Sequence, residues 1–145
     1  MAKPSIPFHK PDFAKIMAEL KARGVDIDHV ATMCRKNVEA ITLASQAAVE
    51  GVQAVAKRQM EMLRESMEEY AKLLRELSVP TTAKEAVSKQ AEIAKHTLET
   101  TLARMREISE MIAKSSNESL EVINRRGSEM LDELKALAAK KKKKD

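Results

Sequence analysis

The sequence predicts an all-α protein in which two long amphipathic helices form an antiparallel, coiled-coil-like hairpin, preceded by a short helix. Turn-forming residues are scarce: there are three Gly and four Pro in 145 residues, and three of the Pro lie in the first eleven. Only three residues are aromatic, whereas β-sheets favour aromatic and β-branched residues. Apolar residues also recur at steps of three and four over two long stretches, the period of a helix.

Residues 1–11 are predicted to form an extended, proline-broken arm, and a single helical domain is predicted over residues 12–138. Its first helix should span about residues 12–23, because Asp12 can cap it. Gly24 is a typical residue for ending such a helix. Asp26 or Asp28 can then cap the next helix.

The second helix is predicted over about residues 28–77. Its charged pairs at i,i+4 after Lys57 support helix formation but indicate no function. Its apolar row contains Val30, Cys34, Val38, Ile41, Ser45, Ala48, Val52 and Val55, and continues less regularly through Met62 or Leu63, Met67, Tyr70, Leu74 and Leu77.

The third helix is predicted over about residues 83–138. Pro80 prevents the second helix from continuing, and Thr82-x-x-Glu85 is a capping box that starts a new one. A connection this short between two long helices favours an antiparallel hairpin. Three small residues interrupt the third helix's row, which is therefore weak for a dedicated coiled coil. The row contains Leu98, Leu102, Met105, Ser109, Ile112, Ser116, Leu120, Ile123, Gly127, Met130, Leu134 and Leu137.

The stretch 40–56, AITLASQAAVEGVQAVA, has more apolar surface than one partner helix can cover. Its polar residues follow one narrow line, which leaves a lane of small residues on one flank and a Val/Ile/Leu side on the other. The hairpin partner can use one flank. We expect the other to meet a second subunit or another hydrophobic surface, and both alternatives stay open. The candidate contact residues are Ile41, Leu43, Ala44, Ala48, Val49, Val52 and Val55.

Two helices alone bury little apolar surface, so a homo-oligomer is expected. Methionines give adaptable apolar surface, but filling a core is their commoner role and is the favoured interpretation here. The six considered are Met60, Met62, Met67, Met105, Met111 and Met130.

The net charge of +4 comes from the predicted basic tail, residues 139–145, since the rest of the chain has equal numbers of basic and acidic residues. Its lysines are candidates for contact with anionic lipid headgroups. Nucleic acid is an unlikely partner because no aromatic residues accompany the tail for base stacking. A solvated tail is the favoured interpretation. The lysines are Lys140, Lys141, Lys142, Lys143 and Lys144.

No enzymatic activity, cofactor or metal is expected. The segment 51–57 lacks the second glycine of a nucleotide-binding P-loop, and the three histidines are scattered. The single cysteine, Cys34, excludes an internal disulfide, fits a reducing compartment and is expected to be a small core residue. Residues 1–11 lack the apolar core of a signal peptide and no apolar run reaches transmembrane length, so neither segment is expected and a cytoplasmic protein is predicted.

Several segments of the chain resemble the phasins, small proteins that coat polyhydroxyalkanoate storage granules in bacteria. The resemblance extends over roughly residues 11–137 and is most specific over 35–51. It rests on PDFAKIM (11–17), GVDI (24–27), RKNVEAIT (35–42), SQAAVEG (45–51), KQAE (89–92) and SNESLEVIN (116–124). Cys34 and the terminal lysines depart from the general pattern.

The resemblance implies a non-enzymatic coat that binds polyhydroxybutyrate-type granules and modulates granule size and polymer mobilisation. It also implies a cytoplasmic location on granules and contact with a depolymerase or synthase. The nearest type is alphaproteobacterial, including activators of polymer degradation and magnetosome-associated relatives. A coiled-coil adaptor at a magnetosome or inner-membrane surface is therefore the alternative, and a nucleoid-associated protein using the lysine tail is a third hypothesis.

Overall fold

A computed structural model describes residues 13–143. It contains three helices, α1 (Phe13–Ala22), α2 (Ile27–Leu77) and α3 (Ala83–Lys142). No strand occurs among these residues, and the all-α prediction is confirmed. The predicted arm, the predicted cap Asp12, Lys144 and Asp145 lie outside the described residues.

Local sequence accounts for where α1 and α2 meet. Gly24 has φ +78°, a left-handed conformation that favours glycine, and its backbone N–H donates to the Lys21 carbonyl. The Asp26 side chain then accepts a hydrogen bond of 3.1 Å from the backbone N–H of His29. Asp26, rather than Asp28, is thus the N-cap of α2.

The five residues 78–82 connect α2 to α3. Thr82 and Glu85 form the predicted capping box, in which each side chain accepts from the other residue's backbone N–H. The helices contain 51 and 60 residues, which at 1.5 Å per residue gives lengths of about 75 and 90 Å. They pack against each other, whereas α1 contacts only α2. The predicted hairpin is confirmed.

α3 ends at Lys142 rather than at residue 138, so four residues of the predicted tail, Ala139 and the lysines 140–142, belong to the helix. Lysine is a good helix former, and its positive charge is favourable near a helix C-terminus. Lys143 is the C-cap residue. Lys140, Lys141 and Lys142 therefore extend the helix axis instead of beginning a separate segment.

Candidate functional site

The hairpin interior is built from small side chains. Ala40 and Ala44 are buried, each with 8% of its surface exposed, and Ala47 and Gly51 are half-buried. The lane of small residues predicted on α2 therefore faces α3 over this part of the hairpin. Ala54, which extends the lane in sequence, is exposed.

The two helices approach each other closely at Gly51. A Cβ atom placed there would lie 1.7 Å from Ser115 Oγ and 2.3 Å from Ser115 Cβ. Ser115 therefore occupies the space that any larger residue at position 51 would need. Its hydroxyl donates to the Ala47 carbonyl at 3.4 Å, which links the helices at the same point.

Because small residues occupy much of the interface, most of the larger apolar side chains of both predicted rows lie outside it, with Met62 as the buried exception. Val52 is 70% exposed and Ile41 58% exposed. We call this exposed surface the apolar face. Its large members on α2 are Val38, Ile41, Val52, Leu63, Tyr70 and Leu74, and those on α3 are Leu98, Leu102, Met105, Ile112, Leu120 and Ile123.

The two rows lie on the same side of the hairpin. A groove of about 440 Å³ is lined by Ala48, Val52 and Val55 from α2 and by Ile112 and Ser116 from α3. A second groove, of about 490 Å³, brings Gln59 of α2 beside Met105 and Ser109 of α3. No Asp, Glu, Lys or Arg occurs in either row. Both helices therefore contribute to an apolar face whose rows carry no charge, and Arg104, which lines the second groove, is paired with Glu65 and Glu69.

The opposite side of the hairpin is charged. One groove there is lined by Lys36, Glu39, Arg125 and Glu129 beside Leu43, and another by Glu50, Lys114 and Glu118. We call this surface the charged side. The hairpin thus separates its apolar and ionic surfaces while most of its large apolar residues stay exposed.

The candidate residues of the 40–56 stretch fall into three environments. Ile41, Val49 and Val52 are large and exposed. Ala48 and Val55 line the first groove, where Ala48 is exposed and Val55 is half-buried. Ala44 is buried against α3. Leu43, which is 45% exposed, lines a groove of the charged side instead. Helical spacing brings Ile41, Ala48, Val52 and Val55 together and separates Leu43 from them.

Two expectations for individual side chains are corrected. Cys34 is exposed and not a core residue, because its row lies outside the interface. Of the methionines expected to fill a core, Met62 is buried and Met111 and Met130 are half-buried, but Met60, Met67 and Met105 are each about two-thirds exposed. The core interpretation is therefore wrong for these last three.

A polar cluster near one end of the hairpin was missed by the sequence interpretation. Arg126 is buried, donates from Nε to Asn37 Oδ1 at 2.7 Å, and makes two hydrogen bonds to the Glu133 carboxylate. Lys36 also bonds Glu133 from α2. The hydrogen bonds from Arg126 and Lys36 lower the pKa of Glu133 to about 2. This cluster, which we call the Arg126 cluster, ties the start of α2 to the end of α3.

A second cluster lies nearer the connection. Arg58 donates from Nε and Nη2 to both Glu107 oxygens, at 2.6 and 3.1 Å. These bonds lower the pKa of Glu107 and raise that of Arg58. Arg104 donates to Ser66 at 2.6 Å and pairs with Glu65 and Glu69. Within α3 the spacing of three and four places Arg126 on one side of the helix with Glu129 and Glu133, but the sequence alone does not indicate which residues of α2 they meet.

The described residues contain no cluster of His, Cys, Asp or Glu suited to a metal ion. Among residues 13–143, no helix has a stretch both long enough and apolar enough to cross a membrane. The candidate site is the apolar face, an extended surface along both helices. Such a surface is typical of the class of proteins that bind through a helical face rather than through an enclosed pocket.

Comparison with known families agrees with this class. The family model described as "Phasin protein" matches residues 28–126, which covers most of α2 and much of α3. The chain belongs to the phasin family, whose members are structural, non-enzymatic proteins associated with cytoplasmic storage granules. No curated protein and no solved structure matches the chain significantly.

Proposed function

We propose that this protein binds the surface of polyhydroxyalkanoate granules, such as those of polyhydroxybutyrate, through the apolar face. The observation that carries the proposal is the position of the large apolar side chains in a chain of the phasin family. They are exposed along both helices, and no charged residue interrupts their rows. A surface of this kind suits an extended hydrophobic partner more than a small ligand.

Binding through the apolar face requires many of its side chains to be covered at once, because each contributes little free energy. Complete burial of a Val, Leu or Ile side chain is worth about 1.5–3 kcal/mol. Since Val52, Ile112 and Leu120 are each more than half exposed, covering each one contributes roughly 1 kcal/mol. Association itself costs on the order of 4–15 kcal/mol. Many residues along the hairpin must therefore be covered together.

The charged side would then face water. Glu50, Lys114 and Glu118 lie on the side of the hairpin away from the apolar face. A granule coated in this way presents a hydrated ionic layer that opposes fusion with its neighbours, and the coat limits where a depolymerase or synthase reaches the polymer. Control of granule size and of polymer mobilisation follows from that arrangement.

We further propose that a second copy of the chain covers the same face in the absence of polymer. The exposed residues of the apolar face are numerous enough to make isolated hairpins prone to self-association. Self-association and granule binding would then compete for one surface. Val52→Asp should weaken both, which sedimentation of the purified protein would detect as a shift toward monomer.

Granule binding is tested by introducing aspartate on the apolar face and, as a control, on the charged side. We expect the double variant Val52→Asp, Ile112→Asp to lose association of a fluorescent fusion with granules, because two charges would enter the polymer interface. Leu43→Asp, which changes a comparably exposed leucine on the charged side, is the matched control and should still bind. Circular dichroism establishes that both variants remain helical.

The same fusion is examined in cells that make polymer and in cells that do not. Granule localisation that persists in the folded double variant contradicts the proposal. Wild-type protein that remains on membrane or nucleoid in polymer-producing cells contradicts it too, and would favour the membrane-surface adaptor or the nucleoid-associated protein.

A further inference from the structure

The grooves of the apolar face are lined in part by uncharged hydrogen-bond donors. Ser116 lines the first groove, and Gln59 and Thr101 line the second from opposite helices. Along α3, fifteen residues separate Thr101 from Ser116, a distance of about 22 Å. The two grooves therefore follow one another along the hairpin.

These three side chains have no hydrogen-bond partner among the described residues, whereas their neighbours do. Ser109 donates to the Met105 carbonyl at 2.9 Å, and Ser119 to the Ser115 carbonyl at 3.0 Å. Arg104, which also lines the second groove, is engaged with Ser66, Glu65 and Glu69. Ser116, Gln59 and Thr101 are thus the groove donors left to bind water or a partner.

A partner that covers the face must replace the water on these groups. A hydrocarbon surface has no acceptor, so a covered donor loses a hydrogen bond or must turn toward its own helix backbone. An anionic headgroup would be matched by Lys or Arg, which both rows lack, and Arg104 at the second groove is already engaged with Glu65 and Glu69. An aliphatic ester fits both properties, since its carbon chain meets the apolar walls and its carbonyl oxygen accepts from a neutral donor.

We infer that Ser116, Gln59 and Thr101 donate hydrogen bonds to ester carbonyls of an aliphatic polyester chain lying along the two grooves. The inference rests on the proposed granule function and adds the chemistry by which the apolar face distinguishes a polyester from a hydrocarbon. The grooves hold chain segments, and the exposed rows around them cover the adjoining polymer surface.

The test removes the three donors while keeping side-chain size similar, with the variant Gln59→Met, Thr101→Val, Ser116→Ala. Binding of the full chain is measured to amorphous polyhydroxybutyrate particles and to hexadecane droplets. Each lost donor should weaken polyester binding by about two- to tenfold. The variant is more apolar, so its binding to hexadecane should be unchanged or tighter.

The matched control is Gln53→Met, Thr42→Val, Ser128→Ala, which makes the same replacements at exposed positions outside the two grooves. It should bind polyester like the wild type. Tighter binding of the groove variant to both surfaces, or an equal loss on both, overturns the ester inference and leaves granule binding through apolar contact standing. If wild-type protein binds no polyester, or binds it unaffected by Val52→Asp, Ile112→Asp, the proposed function itself fails.

Discussion

The inner surface of the hairpin, between α2 and α3, is rich in small and polar residues, whereas its outer surface carries most of the large apolar ones. Between α2 and α3 lie alanines, Gly51, Ser115, Met62 and two clusters of ion pairs, while most of the valines, leucines and isoleucines lie outside. In most globular proteins the large apolar residues form the core and charges stay at the surface. The difference indicates that close approach and polar pairing hold the helices together, which leaves the apolar side chains available for another surface.

Gly51→Ala should break the inner contact with the largest effect on stability. Its Cβ would overlap Ser115 Cβ, which is fixed to the backbone, so the helices must separate. Overpacking of this kind costs typically 1–3 kcal/mol, about 1 kcal/mol of which the better helix propensity of alanine offsets. We expect a net loss of up to about 2 kcal/mol in the free energy of unfolding, measured by urea denaturation.

The chain offers a matched control at Gly127, where an added Cβ would meet nothing within 4 Å. Gly127→Ala should stabilise the helix by about 0.5–1 kcal/mol. Ser115→Gly combined with Gly51→Ala should recover part of the lost stability. Equal effects at the two glycines would mean that the close approach at Gly51 does not hold the hairpin.

Acid should weaken the inner surface through the Arg126 cluster. The pKa of Glu133 is lowered to about 2 in the folded protein, against about 4.3 for an unperturbed glutamate. Ionised Glu133 therefore stabilises the fold above about pH 4.3, and this contribution is lost progressively as the pH falls toward 2. Thermal unfolding should occur at lower temperature across that interval.

Glu133→Gln should flatten part of this acid dependence, because the amide does not titrate. Glu118→Gln is the control. Glu118 lies on the charged side and has no partner on α2 among the observed ion pairs, so this variant should keep the wild-type dependence of unfolding temperature on pH. A Glu133→Gln protein with an unchanged pH profile would show that the Arg126 cluster does not couple the helices.

The smallest expected effect belongs to the lysines at the end of α3. Deletion of residues 139–145 should reduce binding to anionic phospholipid vesicles, since each lysine near such a surface contributes about 1 kcal/mol before screening. It should leave polyester binding nearly unchanged, because Lys140, Lys141 and Lys142 lie at the last turn, beyond the apolar rows. Vesicle flotation measures the first effect, and vesicle binding that survives the deletion would rule out the lipid role.

Much of the fold was predictable from local signals. Gly24, Asp26, Pro80 and the Thr82–Glu85 pair place the helix ends, and a short connection between long helices gives the hairpin. The small-residue lane and the Val/Ile/Leu side were also visible in sequence. The sequence did not show which of the two faces α3, because periodicity identifies a helix face without indicating what covers it.

The side-chain errors share that origin. Cys34 and three methionines were expected inside because apolar residues usually are, and Leu43 was grouped with Val52 although helical spacing sets it on the other side of the contact with α3. The Arg126 cluster depends on pairing between residues about ninety positions apart. Such pairing follows only once the register of the hairpin is known.

The exposed cysteine allows the apolar face to be tested directly. Cys34 is the single cysteine of the chain, is exposed and belongs to the apolar row of α2. A polarity-sensitive fluorophore attached there should shift its emission to shorter wavelength when polyhydroxybutyrate particles are added. The same fluorophore at position 53, in a Cys34→Ser, Gln53→Cys variant, should stay in contact with water, so its emission wavelength should not change when the particles are added. A shift at position 53 with none at Cys34 would contradict binding through the apolar face.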